Sequence, residues 1–351
     1  MFKTKILIAL LIFSSLQSCN TENTKWYKIN KVTEPLKINK DKNWNCEVKN
    51  IANPAKLKIK DSLLYIQDSK SDKFIHVFNL DSNEKIVSIG IKGKGPGEIL
   101  SPYGSLGIYN NKLWVFGATL NKYLGFNTDS ILKKNYKPIQ SELFFTSKSF
   151  FYEVGWLSNN VIVGLNFSEE EKRLTFYDIN KKTEIHSGSI PPKLSQEIPT
   201  SIHKQSLMGT LKIKPDRSKI VIGSLYSDLI EIFDESGNDI IKTKTELDFL
   251  PKYELSDNNG HIVMGQGGDT RFGYIDVSVT NENIYALFSG NTRNDSSFAY
   301  GKLIHVFNWE GELIDVMELE NDSISIEINS DNSELYVIEF TTIPKISKYT
   351  L

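Results

Sequence analysis

The hexapeptide Phe74-Ile75-His76-Val77-Phe78-Asn79 returns almost unchanged as Leu303-Ile304-His305-Val306-Phe307-Asn308. Each copy alternates apolar residues at the strand period and ends on an aromatic-Asn turn. Looser copies stand at Tyr123-Leu124-Gly125-Phe126-Asn127, Leu174-Thr175-Phe176-Tyr177-Asp178 and Leu229-Ile230-Glu231-Ile232-Phe233-Asp234. A chain that repeats one strand this often must stack like units, because a single unit cannot bury its apolar face alone. The repeat also places His76 and His305 at equivalent positions, which makes them scaffold residues before they are chemistry.

A second phrase interleaves with the first: a turn of Asp, Asn or Ser, then a short apolar run. It occurs as Asp61-Ser62-Leu63-Leu64-Tyr65-Ile66, Asn111 to Phe116, Asn160 to Leu165, Ser218 to Gly223, Asn283 to Phe288 and Ser333 to Ile338. Asx and Ser side chains favour the turn, and β-branched and aromatic residues favour the strand. Each of the first five is followed by an aromatic-Asn/Asp strand and a further apolar strand such as Lys85-Ile86-Val87-Ser88-Ile89. A strand such as Thr210-Leu211-Lys212-Ile213 precedes each. Four-stranded antiparallel units at a spacing of roughly fifty residues give an all-β chain, a six-bladed β-propeller. The sixth unit runs out after Lys345-Ile346-Ser347-Lys348-Tyr349, so the last blade is closed by an N-terminal strand around Pro35-Leu36-Lys37-Ile38. That closure leaves no open sheet edge. The stretch Ser187 to Met208, with Pro191-Pro192 and Pro199, keeps the repeat in phase on both sides and reads as a long inter-blade loop rather than a linker.

The start of the chain follows a different pattern. Lys3 and Lys5 precede an eight-residue apolar run, Ile6 to Phe13, and then Ser14-Ser15-Leu16-Gln17-Ser18-Cys19. A basic start, a short apolar core and small residues make an export signal, and the run is too short to span a bilayer. With Leu16 and Ser18 before Cys19, the segment resembles a bacterial lipoprotein lipobox. That resemblance implies a signal peptide over 1–18, cleavage before Cys19 and acylation of its thiol and amine, an effectively permanent membrane anchor. Gln17 departs from the usual small or β-branched residue. Residues 19–31 are polar and without periodicity, a tether to a single propeller domain over 32–351. Once Cys19 is acylated, Cys46 is the one remaining thiol, so no intramolecular disulfide forms.

Together, the lipobox, six irregular blades and the run Gly93-Lys94-Gly95-Pro96-Gly97-Glu98 resemble the TolB-like six-bladed propeller lipoproteins of bacterial envelopes. The resemblance implies the fold and an envelope location, with the outer membrane favoured over the inner because no retention Asp follows Cys19. It brings no assigned activity; such propellers serve mostly as binding platforms.

Charge and motifs narrow the function classes. A formal charge of −2 offers no broad basic field for nucleic acid. The five histidines form no metal set, and the sequence has no zincin pair, nucleophile elbow, calcium loop or Cys-x-x-Cys. No catalytic residue, metal ligand or cofactor is therefore expected. His203 in the long loop is the one histidine retained as a candidate. The site residues lie in two glycine-rich outer-to-inner loops, which precede blades two and five, opposite each other in the ring. Lys92, Lys94, Gly95, Gly97 and Glu98 mark the first; Gln266, Asp269 and Arg271 mark the second. Glycine lets the backbone approach a ligand closely, and successive N–H groups form anion-binding nests. The reading is a non-catalytic platform for a protein, peptide or small envelope ligand. The alternative is a metal-assisted hydrolase or lyase of the six-bladed lactonase type, with carboxylate and amide ligands at the central channel. The residues lining the channel decide between them.

Overall fold

The computed structural model describes residues 24–29, 34–44, 46, 48, 51–131, 133, 140–145, 149–193, 195–258 and 261–351. The expected signal peptide and Cys19 lie outside these residues. Six antiparallel blades follow one another along the chain, the fifth and sixth joined in one continuous sheet. Blade one comprises Pro54–Lys60, Leu63–Asp68, Ile75–Asn79 and Lys85–Ile89; blade two Leu106–Tyr109, Lys112–Gly117, Lys122–Asn127 and Gln140–Phe144. Blade three comprises Phe151–Trp156, Val161–Asn166, Leu174–Asp178 and Thr183–Ser187; blade four Gly209–Ile213, Lys219–Ser224, Leu229–Asp234 and Asp239–Lys244. Blade five comprises Tyr274–Val279, Asn283–Phe288 and Gly301–Asn308. Its outer strand is the first half of the long strand Leu313–Ile328, whose second half is the inner strand of blade six, completed by Glu334–Glu339 and Lys345–Thr350. All six turn-plus-apolar phrases are second strands, and the five aromatic-Asn/Asp phrases are third strands.

The ring closes through the N-terminal segment, but not where the sequence pointed. Leu36 and Lys37 pair in parallel with Met317 and Glu318, the outer edge of blade five. The closing contacts on blade six are instead antiparallel bridges from Lys40 to Tyr349 and from Cys46 to Ile346. Ile38, the residue after Lys37, is buried in the cluster that holds Met317 and Leu319 of blade five and Leu335 and Tyr349 of blade six, and its N–H donates to the Glu318 carbonyl, which keeps this segment on blade five. Ion pairs fasten the closure, Lys40 to Glu339 at 2.8 Å and Lys348 to Asp41 at 3.2 Å. Within the expected tether, Lys25–Lys28 forms a strand that pairs in parallel with the outer strand of blade four. The visible N-terminus thus edges three consecutive blades before entering blade one.

Register explains the repeated histidines. The third-strand residue opposite the fourth residue of each second strand is His76, Leu124, Thr175, Glu231, His305 or Ser347 in blades one to six. His76 and His305 do share one lattice position, and both are buried. His76 Nδ1 meets Ser88 Oγ at 2.8 Å and its Nε2 meets Asp68 at 3.3 Å. In blade three the roles exchange: Thr175 holds the position and His186, on the outer strand, supplies the imidazole at 2.9 Å. In blade four an ion pair replaces them, Arg173 Nε donating to Glu231 at 2.8 Å with Lys242 3.7 Å away. His305 packs face to face on Phe288 and, among the described residues, its ring hydrogen-bonds the Tyr274 hydroxyl alone, so burial pushes its pKa down to about 4. Burial alone would raise the Asp68 carboxyl. Hydrogen bonds from His76, Ser71 and backbone N–H groups reverse this and hold it well below the usual range.

The long inter-blade loop contains the short helix Thr200–Ser206. Its Lys204 is buried and donates to Asn166 Oδ1, Ser168 Oγ and the Glu170 carbonyl, which straps the helix to the second-to-third loop of blade three.

Candidate functional site

Antiparallel blades put their outer-to-inner and second-to-third loops on one face and their tight hairpins on the other. Both glycine loops therefore occupy the loop face. In the first, Ile91–Lys92 pairs in parallel with Glu98–Ile99, and Gly97 adopts φ +69°. Glu98 turns back into the loop and accepts the Gly95 N–H at 2.8 Å. A Cβ at Gly93 would come within 2.0 Å of the Glu98 carboxylate, so a side chain there would displace Glu98 from the loop. Glu98 itself thus occupies the position an outside anion would take at Gly95. Beneath the loop, buried Lys122 donates to the carbonyls of Gly95 and Glu98, both at 2.9 Å, and pairs with Glu142, which accepts the Gly97 N–H. Lys92 and Lys94 remain exposed. Lys122 carries no sequence signal of this role, because it opens a third strand just ahead of the aromatic-Asn pattern.

In the second loop, Gln266 donates to the Tyr226 hydroxyl at 2.6 Å, and Arg293 donates to the Gln266 carbonyl and side-chain oxygen. Asp269 pairs with Lys252 at 3.1 Å, both groups largely exposed. Arg271 donates to the Gly290 carbonyl and lies 5.7 Å from the centre of the Phe249 ring. Asp269 and Arg271 line a depression of about 300 Å³ together with Leu247, Phe249, Leu250 and Lys252. Leu247 and Leu250 are about half exposed, as are Leu255 and Ile262 on the adjoining hairpin Glu254–Asn258/His261–Gly265. This apolar patch was hidden from sequence reading because Leu247-Asp248-Phe249-Leu250-Pro251 has no period that separates surface from core. No hydrogen bond among the described residues joins the two glycine loops. His203 stays in the scaffold: its Nε2 meets the Pro191 carbonyl at 2.7 Å, and burial lowers its pKa.

The central channel is lined by the inner strands. Three alternating lysines of blade one reach three different blades. Lys56 meets Glu153 of blade three at 3.3 Å, Lys58 meets Glu327 of blade six at 2.5 Å, and Lys60 meets Asp129 of blade two at 3.4 Å. Asp276 of blade five accepts the Ser325 hydroxyl and the Ile326 N–H, and Glu327 also accepts the Ser278 hydroxyl. The inner-strand carboxylates tie blades together rather than converge on one void. Among the described residues no group of three or more His, Cys, Asp or Glu is arranged to hold a metal.

Comparison with known proteins follows the same lines. A family described as TolB-like 6-blade propeller-like matches residues 36–331. A Bacteroides fragilis protein described as exported is similar in structure, with TM-score 0.54 and 10% identity over 93% of this chain and 98% of its own. The WD40 repeats of RRP9 give TM-score 0.52 at 10% identity, over 92% of this chain and 100% of theirs. Raptor of Chaetomium thermophilum gives 0.51 at 12% identity, over 90% of this chain and 29% of its own. These likenesses concern the fold alone. No curated protein sequence matches the chain.

Proposed function

The chain belongs to the TolB-like 6-blade propeller family, and from that premise we propose that it is a lipid-anchored envelope protein that binds a protein, peptide or small envelope ligand on its loop face, without catalysis. The observation that carries this reading is the depression between blades four and five. It sets half-exposed Leu247 and Leu250 beside the exposed Lys252–Asp269 pair and Arg271, an apolar centre with a charged margin. Recognition surfaces are built this way, and exposed apolar groups clustered at one place mark them. Lys92 and Lys94 extend the charged surface on the opposite side of the ring. The anchor rests on Cys19 and the signal-like residues before it, and the outer membrane is its proposed location.

The test combines Leu250→Ser, Lys252→Ala and Asp269→Ala, all exposed, and leaves Glu98 intact because it holds its own loop. The variant is expected to keep its melting temperature and lose partner capture from cross-linked envelope extracts. Unchanged capture removes this face from the reading. Cys19→Ala is expected to release the protein from membranes, and retention in the detergent-dependent fraction refutes the anchor.

A further inference from the structure

The channel contains two cations that no carboxylate answers. Lys56, Lys58 and Lys60 each have an acidic partner. Lys212 and Arg217 do not. Among the described residues the Lys212 side chain makes no hydrogen bond or ion pair, and Arg217 Nη1 donates only to the Trp156 carbonyl, at 2.8 Å. Both line one cavity of about 210 Å³ inside the ring. The single carboxylate there, Glu153, is already held by Lys56. Burial lowers the pKa of Arg217, and only the Tyr109 and Tyr123 hydroxyls oppose that shift. Two uncompensated positive charges in a partly desolvated space are costly, and a bound anion would offset them.

The backbone under Arg217 points the same way. It sits in the inner-to-second hairpin of blade four with φ +70°, in the left-handed region. Blades one, two and six fill such hairpin positions with Asp61, Asn111 and Asn332, the residue types that tolerate it. Arginine is not one of the residue types that adopt this region readily. Its side chain leaves the turn for the channel, where the guanidinium lies 4.8 Å from the centre of the Tyr109 ring and bonds blade three. Among the described residues its other N–H groups have no protein acceptor.

We propose that this cavity is a binding site for a small organic carboxylate, gripped by Arg217 and Lys212 with its carbon chain against the apolar walls. A guanidinium matches a planar carboxylate through two parallel hydrogen bonds. Leu106, Ile108, Leu211 and Ile213 line the remaining wall, and the bare tetrahedral anions would leave that apolar surface unused. The cavity is smaller than the roughly 300–1,000 Å³ of drug-sized sites, which restricts the ligand to a short acid. This site is separate from the loop-face depression and does not depend on it.

The experiment titrates the full-length protein in detergent with butyrate, benzoate and inorganic phosphate at constant ionic strength, read by calorimetry. Saturable one-to-one binding of a carboxylate is expected, with phosphate at least ~10-fold weaker. Arg217→Asn restores the residue type the turn prefers, so it keeps the fold and is expected to weaken acid binding ~10-fold or more. Lys212→Met lowers affinity by a smaller factor. Asp269→Ala, on the loop face, is expected to leave acid binding unchanged. The proposal is overturned if no carboxylate binds saturably, if phosphate binds as tightly, or if Arg217→Asn binds as the parent protein does.

Discussion

Removing Arg173 should show how the blades are held to one another. Its guanidinium and the Glu231 carboxylate are 1% and 0% exposed and meet at 2.8 Å across the junction of blades three and four. Lys242 and Asp239, 3.1 Å apart and both buried, complete a neutral group of four charges. Arg173→Met leaves one negative charge in excess in a low-dielectric interior. Breaking a buried pair from one side costs about 3–5 kcal/mol. Unfolding entropy is about 2.1 cal/mol/K per residue, so a domain of about 300 residues loses about 0.6 kcal/mol per degree. The expected fall in melting temperature is therefore about 5–8 °C. The double variant Arg173→Met/Glu231→Leu removes both charges and leaves Lys242 with Asp239, so it should recover most of the loss. Calorimetric melting of the parent and both variants at one pH decides the matter. A loss below about 1 kcal/mol for the single variant, or a double variant less stable than the single, refutes the reasoning.

Two further outcomes follow from burial. His305 titrates near 4 in the folded protein against 6.5 unfolded, so the unfolded chain takes up the proton first as the pH falls. Stability should be complete above about pH 6.5 and decline by about 3 kcal/mol toward pH 4, and His305→Phe should flatten that part of the urea-denaturation profile. Cys46 is 2% exposed and its thiol is pushed up to about 12 by burial. In a Cys19→Ser background it should react with a maleimide about a thousandfold more slowly than a free thiol until the protein unfolds, and rapid native labelling would show that blade six does not stay closed.

The repeat was readable because its residues encode register. The aromatic-Asn turn and the Asx-led apolar runs mark third and second strands in every blade they occupy, and the shared position of His76 and His305 is recovered in the sheet pairing. Closure was readable in kind, since a sixth unit with three strands needs a fourth, but its location depends on where Ile38 finds apolar partners, which is a tertiary fact. In the glycine loops the chemistry was half visible. Glycine signalled tight backbone, while the filling of the first loop by Glu98 and Lys122 depends on side chains approaching from different strands. The channel was least readable. Lys56, Lys58 and Lys60 look like a solvated alternation, and only the ring arrangement shows that each meets a different blade. Arg217 carried one local signal, an arginine in a turn of a kind that elsewhere in the chain uses Asn or Asp.

The strand Lys25–Lys28 has a mechanical consequence. Any pull arriving through the residues that precede it reaches the domain at the outer edge of blade four, not at the seam where blade six closes. Lys25 to Lys28 run parallel to Ile241 to Lys244, and Lys28 adds an ion pair to Asp248 at 2.9 Å. A load applied along two parallel strands acts in shear, so their hydrogen bonds bear it together instead of peeling one at a time. Leu36 and Lys37 on blade five form a second brake before tension reaches Lys40 and Cys46. A propeller tethered from this end can be tugged without being unfastened.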